Sequence, residues 1–151
     1  FCIGQGEILV TPIQVFNYVN LLATKGNSNS PHLVSSIKED SENEIPLSSQ
    51  IWDRIIFDMG QVISHSKGTG KNADPAVQGA KIYGKTGTAE NPHGEDHAWF
   101  IGWVQYEKKK FSIVVLLENS GSGGAVAAPL AKNVFDKIIL GINNSKQISM
   151  K

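Results

Sequence analysis

Lys85-Thr86-Gly87-Thr88-Ala89-Glu90, followed after a short loop by His97-Ala98-Trp99-Phe100-Ile101-Gly102, is the stretch around which the rest of the chain can be ordered. Ala80 to Thr86 leads into it with partial apolar–polar alternation and a polar Lys-Thr-Gly end, the pattern of an edge strand. Ala98 to Tyr106 reads as a second strand and Phe111 to Leu117 as a third. Ile113-Val114-Val115-Leu116-Leu117 is apolar at every position, which predicts a central strand covered on both faces. The residues between the second and third runs, Glu107 to Lys110, predict the tip of an antiparallel hairpin, and Lys108-Lys109-Lys110 is a solvated turn rather than a binding patch.

Upstream, Thr11-Pro12-Ile13-Gln14 combines an N-cap hydroxyl, a proline at the first helical position and a glutamine placed for a capping box. Val15, Phe16, Val19, Leu22 and Ala23 follow at helical spacing, and Lys25-Gly26 supplies a stop, so a helix is expected from Pro12 to Lys25. Asn27 to Ser49 is polar, with Pro31, Pro46 and the acidic Glu39, Asp40, Glu42 and Glu44. It reads as a surface excursion in which only His32 to Ile37 could form a short strand. Ile51, Ile55, Met59 and Val62, widened by Trp52 and Ile56, predict a second helix capped by Ser48 or Ser49 and ending near Ser66. After the strands, the glycine-rich Gly121 to Gly124 precedes a last helix from about Ala127 to Leu140. Pro129 falls in its first turn, and Leu130, Val134 and Ile138 share one side. The polar residues 143–151 are expected to fray as a tail, leaving 1–142 as the domain. Two helices, three antiparallel strands and a helix make an α+β layer. Three strands alone leave a sheet edge and some helix surface without a partner.

With 14 basic and 14 acidic side chains, no global field draws nucleic acid, so no nucleic-acid partner is expected. No apolar run approaches the ~18 residues that span a bilayer, and the first residues have no basic n-region. One cysteine, Cys2, cannot make an internal disulfide.

An acyl substrate laid along the first strand's edge can pair with its backbone. The Thr86 and Thr88 hydroxyls and the Lys85 ammonium offer donors to a substrate carboxylate, and Gly87 permits close approach. A backbone N–H just past the glycine, that of Thr88, is placed to be half of an oxyanion hole. His93-Gly94-Glu95-Asp96-His97 could suggest zinc only on a helix, which Asn91-Pro92 and Gly94 disfavour; it reads as a loop rimming the groove, and no metal or cofactor is expected. Gly68-Thr69-Gly70-Lys71 lacks the spacing of a phosphate loop. Trp99, Phe100 and Trp103 read as core and groove packing.

Ile3-Gly4-Gln5-Gly6, Val10-Thr11-Pro12-Ile13-Gln14, Ala23 to Gly26, Gly68-Thr69-Gly70, Gly84 to Ala89 and His97 to Gly102 stand in an order and approximate spacing that resembles the transpeptidase domain of class B penicillin-binding proteins, the penicillin-binding protein 2 subgroup above all. The resemblance covers nearly the whole chain. It implies part of a penicillin-binding and serine β-lactamase-like fold and a D,D-transpeptidase that cross-links peptidoglycan through a serine acyl-enzyme. The partners it implies are a D-Ala-D-Ala stem peptide and β-lactams, and the location it implies is the periplasmic side of the inner membrane, with the anchor upstream. Lys85, Thr86 and Gly87 match the family's third active-site motif and Thr88 its oxyanion position, so Lys85 and Thr88 are the expected catalytic residues and Lys85, Thr86, Gly87 and Thr88 the expected substrate-binding set. Glu90 stands where many members have glutamine. The family's Ser-x-x-Lys and Ser-x-Asn elements precede the Gly-Gln-Gly segment, so the nucleophile is expected upstream of Phe1 and the chain by itself is expected to be inactive. It would rely on the upstream part of the same protein or on self-association through exposed apolar surface. A carboxypeptidase, a β-lactamase or a non-catalytic β-lactam sensor would carry the same tripeptide.

Three short patterns imitate the missing elements: Ser35-Ser36-Ile37-Lys38, Ser64-His65-Ser66-Lys67 and Ser41-Glu42-Asn43. A nucleophile of this kind needs a buried helix N-terminus, where desolvation lowers the lysine pKa. Ser35 falls in a strand or loop, Ser64 at a helix C-terminus whose dipole favours protonated lysine, and Ser41 in the acidic surface segment.

Overall fold

The computed structural model describes residues 5, 6, 9–32 and 42–149. Cys2, the Ser35–Lys38 pattern, Ser41 and most of the expected strand at His32 to Ile37 lie outside the described residues.

Helix α1, Pro12–Ala23, starts where the capping box places it: the Gln14 N–H donates to Thr11 Oγ1 at 3.4 Å and the Thr11 N–H to Gln14 Oε1 at 2.8 Å. It ends two residues before Lys25. The Lys25 N–H donates to Leu22 O and the Gly26 N–H to Leu21 O, a Schellman closure in which Lys25 (φ 59°) takes the left-handed position and Gly26 (φ 88°) follows it at positive φ. Thr11→Ala removes one side of the box and is expected to cost about 1 kcal/mol, read as a shifted urea midpoint of the full-length protein.

Strands β1 (Asn27–Asn29) and β2 (Glu42–Glu44) form a small antiparallel sheet that the polar sequence concealed. The Ile45 N–H donates to Gly26 O at 2.9 Å, and Gly26 lies so close to the Trp52 ring that an added Cβ would come within 2.5 Å of it. Helix α2, Ser49–Ser64, follows Ser48 as N-cap, without a side-chain capping bond, and buries Trp52 and Ile63.

The second sheet contains β3 (Ala80–Ala89), β4 (His97–Tyr106) and β5 (Lys109–Leu117), all antiparallel, in the order β3-β4-β5. Two expectations are corrected. Lys-Thr-Gly is inside a strand rather than at its end, because β3 continues to Ala89, paired with His97. The middle strand is β4 and not the all-apolar β5. Both faces of β5 are indeed covered, by Val114 packing toward α1 and α2 and by Ile113, Val115 and Leu117 packing on the opposite side. Apolarity reports covered faces and is silent about which edge carries a neighbour. The hairpin is also tighter than expected, with Tyr106 paired to Lys109 across Glu107-Lys108, and Glu107 at φ 57°.

A π-helical turn, Gly123–Ala127, leads into helix α3, Ala128–Ser149. The side of α3 that meets the sheet is Ala128, Ala131, Phe135 and Ile139, one position on from the expected Leu130–Val134 row, whose members are 41% and 37% exposed. Alanines let the helix approach the strands closely, which outweighs the larger side chains' burial at that contact. The helix also runs on past Leu140, and Tyr106 Oη donates to Asn143 Oδ1 at 3.0 Å, tying its later turns to β4.

The sheet is therefore the middle of three layers. On one face lie α1 and α2, around Val19, Leu22, Trp52 and Trp103; on the other lies α3 with its π-turn, around Phe100, Val104, Phe135 and Ile139. Among the described residues the outer edge of β3, which carries the Lys-Thr-Gly tripeptide, has no strand beside it.

Candidate functional site

Alternation along β3 distributes the motif over both faces of the sheet. Ile82, Gly84 and Thr86 are buried, whereas Lys85 is exposed and Gly87 half-buried. The register sets Lys85 opposite Ile101, Thr86 opposite Phe100, Gly87 opposite Trp99 and Thr88 opposite Ala98. Lys85 Nζ donates to the Thr86 carbonyl of its own strand. Thr88 is exposed, and its Oγ1 accepts from the Gly123 N–H at 3.4 Å. The Thr86 hydroxyl is engaged with Thr69 Oγ1 at 2.7 Å. The expected set is therefore together on one strand, with Lys85 and Thr88 exposed and Thr86 tied to the loop behind it.

All four residues line one groove of about 820 Å³. Trp99, Ile101 and Leu116 form an apolar floor, Leu9, Val10 and Val15 contribute a wall, and His97 and Glu118 stand at the far end. Gln5 closes the near corner, its Oε1 accepting the Glu90 N–H at 3.0 Å. Gln5 thereby fixes the chain leaving the motif. The Glu90 side chain is exposed and takes part in none of the ion pairs among the described residues.

Of the other described candidates, Ser64 and Lys67 do not line the groove. Ser64 Oγ donates to Gly60 O at 3.0 Å at the end of α2, and Lys71 Nζ donates to Ser66 O at 2.8 Å. No serine lines the groove among the described residues. His97 Nδ1 accepts the Asn119 N–H at 3.0 Å, and Asn91 Nδ2 donates to Asn119 Oδ1, so the loop between β3 and β4 is fastened to the turn after β5. No group of three His, Cys, Asp or Glu side chains suited to a metal ion occurs among the described residues.

Two participants escaped the sequence reading. Thr69 lay in a glycine-flanked break and bonds a residue 17 positions on. Gly123 belonged to a loop whose path no periodicity reveals. A Cβ on Gly123 would sit 2.2 Å from both Gly87 O and Trp99 O, so only glycine fits against the backbone of the motif. Gly123→Ala must push the turn away from β3; the expected cost is ~1–3 kcal/mol, read from denaturant unfolding of the full-length protein, with increased amide exchange over residues 84–90.

Residues 1–136 match the family described as penicillin binding protein transpeptidase domain. Among curated relatives, peptidoglycan D,D-transpeptidase MrdA of Haemophilus influenzae is 33% identical over 89% of this chain, which spans 24% of that relative's length. The crystal structure of Pseudomonas aeruginosa PBP2 in complex with WCK 5153 superposes with a TM-score of 0.76 at 34% identity, covering 88% of this chain and 30% of that one. Penicillin-binding protein A of M. tuberculosis, solved as an imipenem acyl-enzyme complex, gives 0.71 at 27%, covering 90% and 32%. The two solved structures superpose on most of this chain, and the family match takes in α1, the complete three-stranded sheet and the first part of α3. The chain thus belongs to the penicillin-binding protein transpeptidase domain family.

Proposed function

We propose that this chain is the substrate-binding wall of a D,D-transpeptidase that cross-links peptidoglycan. The full-length protein would act through a serine acyl-enzyme, with its D-Ala-D-Ala stem peptide laid along the free edge of β3 and β-lactams competing for the same place. The observation that carries this reading is the position of Lys85, Thr86, Gly87 and Thr88 on a strand edge that has no partner among the described residues and is also the rim of the groove. An extended peptide can add to such an edge by main-chain bonding while Lys85 and the threonine hydroxyls meet its carboxylate. Lys85 and Thr88 are assigned to catalysis, the latter through its N–H as half of the oxyanion hole. The attacking serine comes from outside these residues, in keeping with a groove that no described serine lines.

The apolar floor of Trp99, Ile101 and Leu116 and the 91% exposed Leu9 are suited to receive the part of the protein that bears that serine. We place the site on the periplasmic side of the inner membrane. No helix among the described residues is long and apolar enough to cross a membrane.

The test is turnover by the full-length protein of a stem-peptide donor ending in D-Ala-D-Ala, in the presence of an amine-bearing acceptor peptide. Release of D-Ala with formation of the cross-linked product is expected. Release with hydrolysis alone would move the assignment to a carboxypeptidase, and no release at all, with penicillin bound but not turned over, to a sensor.

A further inference from the structure

The motif strand is gripped from behind by two segments that the proposed activity does not yet use. Thr86 is the one buried polar residue among the described residues, 8% exposed, and it lines the groove as well as meeting Thr69 Oγ1 at 2.7 Å. Either hydroxyl can be the donor in that contact. The loop bearing Thr69 is itself fixed: its carbonyl lies against Gly124, where a Cβ would come within 2.6 Å of the oxygen, and Asn72 Nδ2 donates to Gly124 O at 3.0 Å. Gly123, the preceding residue, lies against Gly87 and Trp99. Loop, turn and strand thus interlock directly behind the Thr86–Gly87 peptide.

A threonine hydroxyl carries one proton. If Thr86 donates to Thr69, the groove meets oxygen lone pairs, which repel a carboxylate. If Thr69 donates to Thr86, the Thr86 proton stays available for an anion lying beside Lys85. We propose that Thr69 is a positioning residue for carboxylate recognition: its hydroxyl donates to Thr86 and leaves the Thr86 proton for the substrate carboxylate, while the Gly123-Gly124 turn and Asn72 hold the Thr69 loop in place. This rests on reading the groove as a carboxylate site and assigns the orientation of one of its donors to a residue outside the tripeptide.

The test compares binding of an N-acylated D-Ala-D-Ala dipeptide with binding of its C-terminal amide, in the full-length protein and in its Thr69→Val and Thr69→Ser variants. Wild type is expected to prefer the free acid. Thr69→Val, which keeps the shape and removes the hydroxyl, is expected to reduce that preference about fivefold, as loss of the neutral hydrogen bond that orients the Thr86 hydroxyl would. Thr69→Ser is expected to retain it within about twofold, and the amide's own affinity should stay within about twofold in all three proteins. An unchanged acid preference in Thr69→Val would overturn the proposal. So would acid and amide binding falling together, with a lowered melting temperature, because Thr69 would then be holding the strand alone. The reading of the site as an acyl transferase is judged separately, by whether wild type forms a covalent penicillin adduct. The dipeptide comparison reads Thr69's role whether or not that adduct forms.

Discussion

Replacing Lys85 by alanine in the full-length protein is expected to lower the second-order rate of acylation by a penicillin about 100- to 1,000-fold, the range seen when one preorganised donor is removed from an acyl-transfer site. Lys85 supplies the only ammonium group lining the groove among the described residues, and its Nζ is already held against the strand by the Thr86 carbonyl. Holding the cation in place matters because a charge-assisted bond gains most where the donor does not have to be ordered on binding. Lys85→Arg keeps the charge, but the forked guanidinium cannot reproduce a compact ammonium resting on one carbonyl, so only partial recovery is expected. Folding should change little in either variant, since the side chain is exposed. Stopped-flow or gel-based labelling with a fluorescent penicillin measures the rate, and a loss smaller than about threefold in Lys85→Ala would remove Lys85 from the site.

The second large effect is on stability. Trp103 is 1% exposed, stacks on Tyr83 with ring centroids 5.0 Å apart and planes at 17°, and joins Trp52, Val19 and Leu22 between the sheet and the α1–α2 layer. Trp103→Ala is expected to cost ~3–5 kcal/mol, the lost transfer energy plus the cavity left between layers that relax only in part. Phe57→Ala is the internal contrast. Phe57 is 57% exposed on α2, and its removal is expected to stay within about 0.5 kcal/mol. Urea unfolding of both variants in the full-length protein checks the pair, and equal effects would mean that the layer is held elsewhere.

Much of this was readable from residues because the decisive signals are local. Thr11-Pro12-Ile13-Gln14 specifies its helix start through bonds spanning three residues, and all of them form. The three strands announce themselves by composition, and the edge position of β3 follows from its polar end. What stayed hidden depends on which segments meet in space. An apolar β5 could not reveal that β4 lies between it and β3, since both strands are covered on their faces and only hydrogen-bond neighbours differ. The contact side of α3 was misplaced by one position because alanine volume, not hydrophobicity, decides how near a helix can come to a sheet. In the site, Lys85 to Thr88 were legible as a tripeptide with its neighbour. Thr69, Gly123 and the Gln5–Glu90 bond were not, as each joins residues between 17 and 85 positions apart or acts by having no side chain.

The central claim is that these residues form one wall of a serine acyl-transfer site whose nucleophile lies on another part of the protein. Its most direct test is mass-spectrometric mapping of the adduct formed when the folded full-length protein reacts with a penicillin. The account predicts a single acylated serine outside residues 1 to 151, formed at a rate that collapses in Lys85→Ala. Absence of any adduct, or an acylated serine inside residues 1 to 151, would contradict it.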